Sequence, residues 1–218
     1  GDLYPTHGLG PVAQCLYINR GNTFETLVSM GSKTRGLHRY AVERFGPDSP
    51  QAAETFVLSD VVTTMLRTSG GETVVVTHDT NSPRPYSRDY LIQGTLGIAR
   101  KYPEPRIYLE GRSDPHRWDP VDAYLEEYDH PLWRRLEEES RGAGHGGMDF
   151  IEDYRLIDAL RTGRPPDSDV YDAAMLSAVV ELSGRSIARG GESLRFPDFT
   201  RGGWRNPRKL QVMTDEAS

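Results

Sequence analysis

The sequence predicts an α+β fold: an open, mainly antiparallel β-sheet with helices packed on one face. Three observations carry this prediction. β-Branched runs crowd the first half of the 218 residues, two of those runs are joined by a glycine turn, and the second half changes to helical periodicity. Residues 11–18 read as a short apolar helix stopped by Gly21, and residues 24–30 as a strand. Residues 37–45 are helical in pattern. Residues 56–67 and 72–80 flank Thr68, Ser69, Gly70 and Gly71, which makes a hairpin with a glycine-supplied turn. Residues 89–95 and 106–110 add two strands, with Pro83 and Pro85 breaking the chain ahead of the first. Residues 119–139 form an acidic amphipathic helix. Residues 149–160 repeat apolar positions at helical spacing (Phe150, Ile151, Tyr154, Ile157, Leu160), and residues 169–188 do the same behind an Asp cap.

Composition narrows the function. No linker divides the chain, so one domain over residues 1–218 is expected. Hydrophobic residues make up 36% and charged residues 27%, and no apolar run approaches the roughly 20 residues that a membrane span needs. A net charge of -6 would repel a phosphate backbone, which disfavours nucleic acid as a partner. The one basic patch, Arg201, Arg205, Arg208 and Lys209, reads as a solvated tail. Cys15 stands alone, so neither an intrachain disulfide nor a cysteine metal site is expected. The chain enters YPTHGLGP directly after Gly1, without Met or a signal peptide, and reads as starting inside a longer protein; residues 213–218 read as a polar carboxy-terminal tail.

Several motif matches carry little chemistry. Gly8, Gly10 and Ala13 fit GxGxxA, and Gly142, Gly144 and Gly147 fit GxGxxG. Dinucleotide binding needs a buried strand ending at the first glycine, so that amides and a helix N-terminus meet the pyrophosphate; neither run has one. The residues that bind a cofactor are therefore left unassigned, and no metal site is expected. Thr77, His78 and Asp79 at a strand end offer two metal ligands without a third, and read better as a hydrogen-bonded pair. The six His are scattered, and no GxSxG elbow accompanies them. Glu137, Glu138 and Glu139 point in different directions on a helix and form a solvated face.

Two motifs remain, YPTHG at residues 4–8 and RPYSRD at residues 84–89. Pro5 and Gly8 suggest a stiff, irregular turn that aims Tyr4 and His7 outward. Pro83 and Pro85 bracket Arg84 and place Tyr86 where a ring and hydroxyl can meet a sugar. Tyr and His as plain loop anchors fit the spacing equally well.

The stretches YPTHGLGPVAQCLYINRG, SKTRG, THDTNSPRPYSRDYLIQGT, GHGGMDF, DVYDAAMLSAVVELS and FPDFTRGGW resemble glycoside hydrolase family 109, the NAD-dependent alpha-N-acetylgalactosaminidases of the Gfo/Idh/MocA superfamily. The resemblance covers nearly the whole chain in the family's order. It implies that these residues are the carboxy-terminal domain, of substrate-binding and dimerisation type, and that NAD is held mainly by an N-terminal Rossmann domain outside the chain. It implies that Tyr4, Pro5, Thr6, His7 and Tyr86 contact the sugar, with His7 catalytic through hydrogen bonding or proton transfer. It further implies hydrolysis of N-acetylgalactosamine-type glycosides by transient C3 oxidation, elimination and water addition, outside the two-carboxylate scheme. Its partners would be the glycoside, the Rossmann domain and a second copy of the chain, and it admits a periplasmic or secreted location. The superfamily's sugar and polyol dehydrogenases often place an Asp four residues before the His; Leu3 stands there in this chain. The alternatives are an NAD(P)-dependent oxidoreductase acting on a sugar or cyclitol and, for the isolated chain, a non-catalytic carbohydrate-binding or assembly domain.

Overall fold

Alternating buried and exposed side chains along residues 61–79 build the centre of the structure, a computed structural model that describes residues 1–208. The elements are α1 (Thr6–Cys15), β1 (Phe24–Gly31), α2 (Gly36–Phe45), α3 (Pro50–Ala53), β2 (Val61–Thr68) and β3 (Thr73–Asp79). They continue with β4 (Leu91–Gln93), β5 (Gly97–Arg100), β6 (Arg106–Leu109), β7 (Asp119–Pro120), α4 (Asp122–Tyr128) and α5 (Pro131–Arg135). Last come α6 (Met148–Thr162), α7 (Val170–Ala188) and β8 (Leu194–Arg195). Among the described residues the chain divides into two units, one holding Gly1–Arg84 and residues 168–208, the other Pro85–Asp167. The tail at 213–218 and Lys209 of the basic patch lie outside the described residues.

The first unit has the expected α+β architecture, a four-stranded antiparallel sheet in the order β3-β2-β1-β8 with α1 and α7 on its core face. Leu27, Leu66, Val74 and Val76 point to that face and meet Leu9 and Ala13 of α1 and Met175, Val179 and Leu182 of α7. The register pairs Val28 with Met65 and Met65 with Val75, so these side chains share the opposite face, where Met65 and Val75 are exposed. The β2–β3 hairpin turns as its sequence requires: Thr68 N–H donates to the Glu72 carbonyl at 2.9 Å, and Gly71 takes φ 93°. Residues 56–60, expected as strand, precede it.

The second unit holds its own antiparallel sheet in the order β4-β5-β6-β7, so the strands form two sheets where one was expected. β5 and β7 were not foreseen because each is too short to show a period. The helix expected at 119–139 is split. Pro131 has no N–H to continue the ladder and holds His130 extended at ψ 129°, so α4 ends and α5 begins anew with Pro131 in its first turn. α7 matches its expected span, and its N-cap Asp169 forms a reciprocal capping box with Asp172.

One buried ion pair closes the first unit. Arg20 donates from Nη1 to Asp172 Oδ1 at 2.8 Å and from Nη2 to Asp172 Oδ2 at 2.5 Å, with 3% and 6% of the two side chains exposed. Asn19 Nδ2 and the Asp169 N–H add hydrogen bonds to the same carboxylate. Burial alone would raise the Asp172 carboxyl, yet the hydrogen bonds from Arg20, Asp169 and Asn19 and the charge of Arg20 outweigh it and hold the group below its ordinary value. Arg20→Ala leaves this carboxylate buried and uncompensated, and should cost about 3–5 kcal/mol by urea denaturation. Because the folded-state pKa is lowered, the Asp172 contribution is complete above the unfolded-state carboxylate range. It is lost as pH falls through the folded value, so Asp172→Asn should remove part of the acid limb of the stability profile.

Candidate functional site

The YPTHG motif opens α1 rather than forming an irregular turn. Pro5 adopts φ -72° and ψ -20°, and its carbonyl accepts the Leu9 N–H at 2.7 Å, so the helix starts five residues earlier than expected. A proline is compatible with helix entry because its φ is already helical. Thr6 and His7 therefore sit in the first turn, exposed, while Pro5 is buried. The Tyr4 ring, 60% exposed, stacks on the His7 ring at 4.7 Å between centroids and 30° between planes. Gly8 lets the helix approach the sheet: a Cβ there would stand 3.3 Å from Val76.

Beneath this turn the chain is anchored by a residue that sequence reasoning missed. Asp2 is fully buried; its Oδ1 accepts the Tyr4 N–H at 3.0 Å, and its own N–H donates to Ser183 Oγ of α7 at 2.8 Å. Leu3, four residues before His7, is 54% exposed. The buried carboxylate stands one residue earlier, and nothing in the composition of GDLYP marks it.

Tyr86 belongs to the second unit, so the sequence-predicted contacts fall as four on one unit and one on the other. Its ring is 70% exposed, its hydroxyl accepts from Arg88 Nε at 2.6 Å, and Tyr102 meets it edge-on at 6.1 Å. The phenol is thus held from one side and open on the other.

A His–Asp pair lies in the GHGGMD stretch of the second unit. His145 has φ 53°, followed by Gly146 at 70° and Gly147 at 100°. Its Nδ1 meets Asp149 Oδ1 at 2.8 Å and Oδ2 at 3.0 Å, in the first turn of α6. A Cβ on Gly144 would fall 2.1 Å from the Asp149 carboxylate, so a side chain there would displace that carboxylate from His145. The carboxylate fixes the imidazole through Nδ1 and leaves Nε2 on the far side for another partner. The sequence signal was a His and an Asp four apart within a glycine run, set aside together with the GxGxxG pattern.

Neither glycine pattern has dinucleotide geometry. Gly8 and Gly10 lie inside α1, and Gly142 follows a turn after α5. These residues do not fit a pyrophosphate. The Thr77–Asp79 stretch does not form a metal centre either: His78 packs toward the core, Asp79 pairs with Arg84 at 3.3 Å, and no group of three or more His, Cys, Asp or Glu suited to a metal occurs among the described residues.

A groove of about 800 Å³ lies near the other end of α1, lined by Leu16, Tyr17, Asn22, Glu72, Trp204 and Arg208 among others. Its polar groups serve the fold. Asn22 accepts from Thr23 N–H, Ser69 Oγ and Gly70 N–H, and donates to the Leu16 carbonyl and Glu72. Glu72 is held below its ordinary pKa by hydrogen bonds from Thr68, its own backbone and Asn22, and Arg208 pairs with Asp169. Ten helical residues at about 1.5 Å each separate this end of α1 from its first turn. The groove is a structural junction, and Tyr4 and His7 lie at the other end of α1.

A family model described as Glycosyl hydrolase 109, C-terminal domain, matches residues 1–206. The chain belongs to glycosyl hydrolase family 109. It is 52% identical over 204 residues to a glycosyl hydrolase family 109 protein of Parabacteroides distasonis, covering 94% of this chain and 44% of that protein. It is 53% identical over 204 residues to an alpha-N-acetylgalactosaminidase of Tannerella forsythia, covering 94% and 43%. The chain thus spans less than half the length of these relatives. Among solved structures, a levoglucosan dehydrogenase in complex with NADH and levoglucosan aligns with TM-score 0.57 at 18% identity, over 80% of this chain and 45% of that one. An oxidoreductase domain protein from Kribbella flavida aligns with TM-score 0.52 at 15% identity, over 81% and 47%. These likenesses show the fold alone, a mixed arrangement of helices and antiparallel sheet. No helix among the described residues is long and apolar enough to cross a membrane.

Proposed function

We propose that this family 109 chain walls the sugar pocket of an alpha-N-acetylgalactosaminidase whose NAD is held by the remainder of the longer protein. The observation that carries this is the exposed Tyr4–His7 stack on the first turn of α1, inside the matched family region. An aromatic ring beside an imidazole on a rigid element gives a sugar an apolar face and a hydrogen-bonding group together. Bound NAD would supply reversible hydride acceptance at C3 of the sugar, which makes the C2 proton removable and lets the aglycone leave by elimination. In this reading Tyr4, Pro5, Thr6 and Tyr86 bind the sugar. His7 holds or moves a proton at the ring, since an imidazole can both donate and accept a hydrogen bond. A sugar or cyclitol oxidoreductase remains the rival; it would accumulate NADH in proportion to substrate consumed, whereas the glycosidase recycles its cofactor.

The 218 residues alone should neither bind NAD in a calorimetric titration nor release nitrophenol from a nitrophenyl N-acetylgalactosaminide; micromolar NAD binding would restore one of the glycine runs. In the longer enzyme, His7→Ala should lower turnover at least about 100-fold, with melting temperature nearly unchanged because the side chain is exposed. Tyr86→Phe should act mainly on KM, because it removes one hydroxyl and keeps the ring. A His7 variant that melts early but turns over normally removes His7 from the site.

We also propose that the outer face of the first sheet, with Met30, Met65 and Val75 exposed, is covered in the assembled protein by its cofactor-binding part or by a second copy. A monomer by light scattering, with no binding of an apolar dye to the isolated chain, counts against this.

A further inference from the structure

We propose that Asp2 is the residue that positions the Tyr4–His7 pair for the reaction, an inference that rests on the reading of His7 as a sugar-facing group. Aspartate is among the residues least often fully buried, and Asp2 is 0% exposed. Its contacts run in one line. Ser183 Oγ of α7 accepts the Asp2 N–H at 2.8 Å, and Asp2 Oδ1 accepts the Tyr4 N–H at 3.0 Å. Pro5 then opens α1, whose first turn carries His7. The Gly1 backbone lies so close to α7 that a Cβ on it would stand 2.6 Å from the Gly184 nitrogen. The rigid helix α7 thereby sets where α1 begins and the direction in which Tyr4 and His7 leave it.

Stability alone does not account for a carboxylate here. Oδ2 is buried without a hydrogen-bond donor among the described residues, and leaving such an oxygen unpaired is destabilising. An apolar residue would avoid that cost but lose the acceptor for Tyr4 N–H. What the carboxyl adds is one short side-chain-to-backbone link, in the manner of an Asx turn, that removes freedom from the two residues before the helix. The site needs that restraint because displacing a reacting group by about 1 Å can slow a reaction roughly 100-fold.

The test pairs Asp2→Ala, which removes the acceptor, with Asp2→Asn, which keeps Oδ1. In the 218-residue chain, nuclear Overhauser contacts between the Tyr4 and His7 ring protons should be present, vanish in Asp2→Ala and persist in Asp2→Asn. Ser183→Ala loosens the same line from its other end; it should weaken these contacts, and it keeps the proposal testable if Asp2→Ala does not fold. In the longer enzyme, kcat should fall roughly 10- to 100-fold in Asp2→Ala with KM little changed, and Asp2→Asn should return it to within about 2-fold of the parent. Intact ring contacts with only a lowered melting temperature overturn the proposal, and so does lost contact with unchanged kcat. If the parent enzyme does not cleave the N-acetylgalactosaminide, the functional reading fails by itself, and the ring contacts still decide what Asp2 positions.

Discussion

The Arg20–Asp172 pair is the constraint on which the first unit depends. It joins the loop after α1 to the first turn of α7, elements that are 152 residues apart in sequence. Two charges removed from water are tolerated only when their remaining hydrogen-bonding capacity is filled. Asn19 and the Asp169 amide do this for the carboxylate, and the Ile18 carbonyl accepts from Arg20 Nη1. The loop must take an unusual path to bring these groups together, with Tyr17 at φ 55° and Asn19 at φ 64°. Non-glycine residues hold such angles only where the surroundings over-determine them. The same Asp172 completes the capping box of α7, so the residue that starts the helix also fixes its place against the rest of the unit.

From that fixed start α7 acts as a rail. Two of its hydroxyls are buried and directed at the chain on either side: Ser186 Oγ accepts the Ser29 N–H of β1 at 2.9 Å, and Ser183 Oγ accepts the Asp2 N–H. Ser29 Oγ and Thr64 Oγ1, 2.7 Å apart, carry the polar line into β2. Each link satisfies a polar group that burial would otherwise penalise, and together they fix α7 lengthwise against the sheet. Apolar contacts alone, such as Val179 and Leu182 against Leu27 and Leu66, would not specify that register so sharply.

Where the sequence was legible, one period ran long enough to read. The β2–β3 hairpin shows strict alternation around a glycine turn, and α7 runs nineteen residues from an Asp cap; both lie close to where they were expected. β7, two residues long, and the break at Pro131 depend on tertiary pairing and on one proline in an otherwise amphipathic stretch. The motif residues were found by resemblance and then differently housed, since Pro5 continues into α1 where a turn was expected. Asp2 was illegible because its significance lies in burial, of which one carboxylate in a short segment carries no periodic or spacing signal. The His145–Asp149 pair left only a spacing of four within a glycine run, which does not show the positive backbone angles that bring the two together.

The arrangement separates what must be rigid from what must be available. Tyr4, His7 and Tyr86 are exposed, so their side chains contribute little to the core and remain open to a ligand. The groups behind them on the first unit, Pro5, Asp2 and Ser183, are buried and joined to the core. Supporting residues of this kind hold a binding constellation in place without themselves touching what is bound. An exposed imidazole on a helix that was free to shift would meet a sugar in many poses. One whose helix start is tied through Asp2 to α7, and whose α7 is tied through Asp172 to Arg20, would meet it in few, so on the function proposed above the buried ion pair at one end of α7 would bear on chemistry at the first turn of α1.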